Sequence, residues 1–152
     1  MTDKELINYL SQDHAFGILT RPALEIYLAQ NPMKYLFCVD FDNIHEMNEK
    51  YGYLAVNRIF YNIFDTIKLN YGKRMVIGRV FSGDEIAINC GEDLSAFIIQ
   101  TLARICKQKK VGFKYVKSEI KELTNPRDSS KLLDGLTTQL RENPQYYSLK
   151  KL

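Results

Sequence analysis

Tyr35-Leu36-Phe37-Cys38-Val39 is an unbroken apolar run of strand length, and it stops abruptly at Asp40-Phe41-Asp42-Asn43. Such a run suits a central strand covered on both faces. Upstream, Thr2-Asp3-Lys4-Glu5 has capping-box spacing, with Leu6, Ile7 and Leu10 at helical intervals, which predicts a short helix ending near Asp13. Gly17 interrupts. Thr20-Arg21-Pro22 then opens a second helix with proline in its first turn, carried by Ala23, Leu24, Ile26, Tyr27 and Leu28 as far as Asn31-Pro32. After the acidic stop, a polar segment runs to Gly52. Ala55, Ile59, Ile63 and Ile67 then fall four apart, with Phe60 and Phe64 beside them, until Asn70-Tyr71-Gly72 closes that helix.

Met75 to Phe81 and Ile86 to Cys90 read as two strands joined by the tight link Ser82-Gly83-Asp84-Glu85, a hairpin. Leu94, Phe97, Ile98, Leu102 and Ile105 mark an amphipathic helix that ends in the bases of Lys107 to Lys110. Val111 to Val116 alternates as a strand does. Asn125-Pro126 turns the chain into a last helix around Leu132 to Leu140, before Asn143-Pro144. The order α-α-β-α-α-β-β-α-β-α predicts an α+β fold, with helices on a mostly antiparallel sheet.

Composition narrows the class. The 152 residues suit one domain, and 45% apolar with 26% charged residues are the proportions of an ordinary globule. No apolar run approaches the roughly 20 residues of a membrane helix, so no membrane partner is expected. Cys38, Cys90 and Cys106 have unrelated spacings, which fits free thiols in a reducing cytoplasm. A net charge of +3 is too small to call for DNA or RNA.

Candidate chemistry lies in two acidic loops. Asp40 and Asp42 follow a buried strand, and Asp84 and Glu85 sit at a hairpin tip. If that hairpin pairs beside the strand, its carboxylates converge with Asp40. Converging carboxylates raise one another's pKa unless a cation is present, and hard oxygen ligands suit Mg²⁺ or Mn²⁺ with a substrate phosphate. Two such ions align an attacking hydroxyl and a leaving pyrophosphate. Ser82-Gly83 carries little side chain, so a ligand can approach the backbone there.

These blocks keep the spacing of a known family. Asp40 to Asn57, DFDNIHEMNEKYGYLAVN, resembles the D-x-D-x-F-K-x-x-N-D-x-x-G-H-x-x-G-D stretch of GGDEF domains, most of which are diguanylate cyclases. Ser82-Gly83-Asp84-Glu85-Ile86 resembles the signature hairpin, and Ile18 to Leu24 is similar to the family's L-T-G-L-x-N-R segment. The resemblance implies a palm or ferredoxin-like cyclase fold spanning 1–152, with 1–13 as a short helix in place of a fused sensor domain. It implies metal binding by Asp40, the Phe41 carbonyl and Asp84, and activation of a ribose 3′-hydroxyl by Glu85. It implies base reading by Asn48 and Asn57, and substrate contacts by His45, Ser82, Gly83 and Arg141.

Departures from the family pattern are as informative. Asn57 stands where the family has an aspartate that accepts from guanine; an amide offers one acceptor and one donor, which opens ATP as well as GTP. His45 replaces a phosphate-binding lysine, and Arg79 lies one residue further from the hairpin than usual. Lys73 to Val76 lacks the aspartate of the inhibitory R-x-x-D site, so product inhibition of that type is not expected. The expectation is a cytoplasmic cyclase that joins two nucleoside triphosphates as a homodimer. Its alternatives are a degenerate GGDEF module that binds a nucleotide or protein, and a palm cyclase like the small CRISPR polymerases.

Overall fold

The computed structural model describes residues 1–81 and 85–147. In chain order the elements are α1 (Asp3–Leu10), β1 (Gln12–Asp13), β2 (Ile18–Leu19), α2 (Arg21–Gln30), β3 (Tyr35–Phe41), α3 (Ile44–Tyr51) and α4 (Tyr53–Tyr71). There follow β4 (Met75–Arg79), β5 (Glu85–Cys90), α5 (Glu92–Ser95), α6 (Ile98–Gln108), β6 (Phe113–Glu119), α7 (Pro126–Glu142) and β7 (Gln145–Tyr147). Among the described residues the sheet order is β1-β2-β4-β5-β3-β6-β7. Every pairing is antiparallel except β2 with β4. The α+β expectation with a mostly antiparallel sheet holds.

Side-chain alternation on β3 builds two cores. Phe37, Val39 and Phe41 point to one face, where they meet Phe60, Ile63, Phe64 and Ile67 of α4 and Ile98 and Leu102 of α6. Leu36 and Cys38 point to the other, against Leu24 and Leu28 of α2 and Leu133, Leu136 and Leu140 of α7. This two-sided cover is why the run from Leu36 to Val39 is wholly apolar, with every residue at most 1% exposed. All three cysteines are buried and unpaired, and desolvation pushes the Cys90 thiol up to about 11.

The first helix ends at Leu10 and not near Asp13. Gln12–Asp13 instead pairs with Ile18–Leu19, because the Asp13 carboxylate accepts from the Ala15 and Phe16 amides and Gly17 returns the chain at φ +68°. The polar segment after Asn43 is a helix, α3, with Ile44 buried. β4 stops at Arg79 and not at Phe81: the Val80 N–H donates to the Glu85 carbonyl at 3.0 Å, and Phe81 is exposed. β6 begins at Phe113 and runs three residues beyond Val116, since it pairs with the whole of β3 from Phe41↔Phe113 to Tyr35↔Glu119. Asn125-Pro126 is the start of α7 and not a free turn, with the Asn125 side chain accepting from the Asp128 N–H at 3.0 Å. β7 was not foreseen; it pairs Gln145 to Tyr147 with β6.

No described helix is long and apolar enough to cross a membrane.

Candidate active site

Strand parity decides where the acids go. Asp40 shares the face of Leu36 and Cys38, and Glu85 shares the face of Ala87, so both point towards α2 and α7. In the β3–β5 ladder Asp40 is the direct partner of Glu85, and in the β3–β6 ladder it is the direct partner of Lys114. A row Glu85–Asp40–Lys114 therefore crosses three adjacent strands on one face. Side chains directly opposite in an antiparallel pair have Cβ atoms about 4.5–5.5 Å apart.

The row is electrostatically unbalanced. The Lys114 ammonium is 3.7 Å from Asp40 Oδ2, an ion pair too long for a hydrogen bond. Burial still pushes the Asp40 carboxyl above the usual range, against the pull of Lys114 and Arg141. Burial does the same to Glu85, and the Asp40 charge adds to it, while a bond from Thr137 opposes it. Asp42 is also raised, first by burial and then by Asp40, with its amide tied to the Gly112 carbonyl at 2.9 Å.

α7 covers this end of the sheet. Thr137 Oγ1 lies 2.5 Å from Glu85 Oε1, and Arg141, one turn on, is exposed yet close enough for its charge to act on both Asp40 and Glu85. The base of the hairpin is held from the other helix. Arg21 donates to the Val80 carbonyl (3.2 Å), Ser130 Oγ (3.1 Å) and Asp134 (2.8 Å), and its guanidinium lies over the Phe81 ring.

Asn48 and Asn57, read as the base-binding pair, do come together. They line a cleft of about 180 Å³ with Phe16, Tyr53, Val56 and Arg79, between α3 and α4. Asn48 Oδ1 is buried there with no hydrogen-bond partner among the described residues. An orphaned buried acceptor is costly, and a ligand donor would satisfy it. Arg79 is fixed at the cleft: its Nε donates to Asp13 Oδ2 at 2.8 Å and its guanidinium lies 3.9 Å from the Phe16 ring centre.

His45 is placed apart from these groups. It projects from α3 with its side chain 83% exposed, paired with Glu49 at 3.0 Å. The Phe41 side chain is buried in the opposite core, which leaves only its backbone for the site. Ser82, Gly83 and Asp84 lie outside the described residues. Among the described residues no group of three potential metal-ligating side chains is assembled; Asp40 and Glu85 provide two carboxylates.

Reading the sequence alone missed Lys114, Thr137 and Arg21. Thr137 had a signal: it interrupts Leu133, Leu136 and Leu140, so it is a polar residue at a core position. Lys114 had none until the β3–β6 register was known.

The Arg79–Asp13 pair carries a pH prediction. Burial pushes Asp13 up, but the Arg79 bond and charge, with two backbone amides, outweigh it and hold the carboxyl below its ordinary value. A depressed folded pKa contributes stability above the unfolded value of about 3.9, and loses it as pH falls through the folded one. In urea unfolding, the midpoint of Asp13→Asn is expected to fall less between pH 5 and pH 2 than that of the wild type. Parallel curves would mean that the pair contributes nothing.

No family model matches the sequence, and no curated protein matches it. Solved structures do match in shape. A microbial GGDEF domain solved with cyclic di-GMP superposes at a TM-score of 0.71 and 19% identity, over 90% of this chain and 94% of that one. A diguanylate cyclase/phosphodiesterase from Caldicellulosiruptor saccharolyticus superposes at 0.65 and 17%, over 93% and 94%. The coiled coil and GGDEF domain of DgcB from Caulobacter crescentus, in complex with c-di-GMP, gives 0.64 and 13%, over 92% and 85%. The chain has the fold of the GGDEF domains.

Proposed function

We propose that the chain is a GGDEF-type nucleotidyl cyclase that condenses two nucleoside triphosphates into a cyclic dinucleotide. The observation that carries this reading is the direct cross-strand pairing of Asp40 with Glu85. Two half-buried carboxylates on neighbouring strands, with Lys114 no nearer than 3.7 Å and Arg141 and Arg21 acting on them through charge, are hard oxygen donors that fit a divalent cation. Asp40, the Phe41 carbonyl and Asp84 would hold Mg²⁺ or Mn²⁺, whose charge polarises the triphosphate and lowers the pKa of a bound hydroxyl.

The chain's own residues then have separate tasks. Asn48 Oδ1 accepts from the base, and Asn57 offers one donor and one acceptor beside it. Arg141 faces the triphosphate from α7, and Ser82-Gly83 lets it approach the hairpin. Glu85 takes the proton of a ribose 3′-hydroxyl as the O3′–Pα bond forms and the bond from Pα to the pyrophosphate oxygen breaks. Each subunit holds one nucleotide, so the product forms between two copies in a homodimer.

Mass spectrometry of products from GTP, ATP and their mixture with Mn²⁺ tests the reading. Cyclic dinucleotide and pyrophosphate support it; no product from any pair, at protein concentrations that dimerise, defeats it. Asn57→Asp restores an acceptor-only side chain, and is expected to shift the GTP-to-ATP product ratio towards GTP by at least about tenfold, the scale of a lost or gained base hydrogen bond. An unchanged ratio would remove Asn57 from base reading.

One observation favours a binding module instead. His45 is spent on an exposed pair with Glu49 and brings no fixed cation to a triphosphate. Tight nucleotide binding without turnover would select that reading.

A further inference from the structure

The groups that touch Glu85 from α7 point to a residue that the family pattern does not supply. Thr137 is 5% exposed and its hydroxyl meets two acceptors, Glu85 Oε1 at 2.5 Å and the Leu133 carbonyl at 3.0 Å. A helical threonine ordinarily bonds back to the carbonyl four residues before it. Here a carboxylate lies closer, and the short distance is that of a charge-assisted O–H···O⁻ bond. A single hydroxyl proton cannot fully serve both acceptors, so the carboxylate takes the larger share.

We propose that Thr137 is the positioning residue of Glu85. It ties Oε1 to α7 and leaves Oε2, to which no described side chain hydrogen-bonds, available to the reacting hydroxyl. Without that tie the Glu85 side chain has two reasons to leave its rotamer: repulsion from Asp40 directly opposite, and half-burial that favours swinging to solvent. Lys114 flanks Asp40 on the far side of the row and cannot restrain Glu85. Arg21 acts on Glu85 only through its charge, its nitrogens being spent on Val80, Ser130 and Asp134. Thr137 is thus the one described side chain that hydrogen-bonds the Glu85 carboxylate. Its spacing of four from Arg141 lets a single helix face set both groups.

The inference rests on the cyclase reading for its effect on turnover, but the contact can be tested apart from it. Thr137→Val keeps the volume and removes the hydroxyl; Thr137→Ser keeps the hydroxyl. Thr137→Val is expected to lower kcat about 100-fold, the cost of misplacing a reacting group by about 1 Å, with KM for the nucleotide within about twofold of wild type. Thr137→Ser should recover most of that loss. Equal losses in the two variants, or a loss appearing in KM alone, would overturn the positioning role. The second readout needs no turnover: a double-mutant cycle of Thr137→Val and Glu85→Ala in urea unfolding. Coupling of threefold or more in the unfolding constant supports the tie, and additive effects refute it. If the wild type makes no product and the cycle still shows coupling, the cyclase reading fails and the Thr137–Glu85 tie stands.

Discussion

Asp40→Asn is expected to reduce cyclic dinucleotide formation about a thousandfold or more while leaving the fold intact. A cation held there would supply several kcal/mol of transition-state stabilisation, and each 1.4 kcal/mol is a factor of ten. An amide keeps the volume and one acceptor oxygen but removes the charge that would retain the ion. The stability side of the result has the opposite sign. Asp40 titrates above its unfolded value, chiefly because it is desolvated, so it stabilises the fold when protonated and costs stability as pH rises through its folded pKa. In metal-free buffer at pH 7, Asp40→Asn should therefore unfold at the same temperature as the wild type or higher, and saturating Mn²⁺ with nucleotide should reverse that order. A variant that keeps full turnover would remove Asp40 from the metal site, whatever the activity of the protein.

Phe60→Ala is expected to cost about 3–5 kcal/mol of folding stability, read as a lower urea midpoint at unchanged slope. Phe60 is fully buried, and its ring centre lies 5.3 Å from that of Phe16, 4.8 Å from Phe41 and 6.3 Å from Phe64. It bridges α4 to the last residue of β3, and α4 also carries Asn57 one turn before it. The cavity would loosen the Asn48–Asn57 cleft as well as the core. A loss below about 1 kcal/mol would mean that this aromatic cluster is not the centre of the fold.

Much of this arrangement could be read from residue order. The apolar run of β3 declared its two-sided burial, and the i, i+4 spacing of Ile59, Ile63 and Ile67 declared α4, because each pattern reflects one element's own geometry. Asp40, Glu85, Asn48 and Asn57 were legible through the spacing of separate blocks; the structure pairs the two acids across β3 and β5, and brings the two amides together in a cleft between α3 and α4. What escaped depends on contacts between elements. Lys114 becomes a neighbour of Asp40 only through the β3–β6 register, and the strand that carries it starts two residues later than its alternation suggests. Arg21 sits in a helix start that was read correctly, yet its bonds to Val80, Ser130 and Asp134 span up to 113 positions. β1 and β2 are two residues each, too short for a period to register, and are set by the Asp13 turn. The family resemblance groups His45 with the site, in place of a lysine, and the helix turns it outward.

The central claim is that Asp40 and the Glu85 hairpin hold a divalent cation against a nucleotide. Crystals grown with Mn²⁺ and a non-hydrolysable nucleoside triphosphate analogue, examined by anomalous scattering, test it most directly. The account predicts a manganese peak within about 2.3 Å of an Asp40 carboxylate oxygen, the range of hard-cation coordination, with the base of the analogue against Asn48. A manganese–nucleotide complex bound elsewhere, with Asp40 still paired only to Lys114, would contradict it.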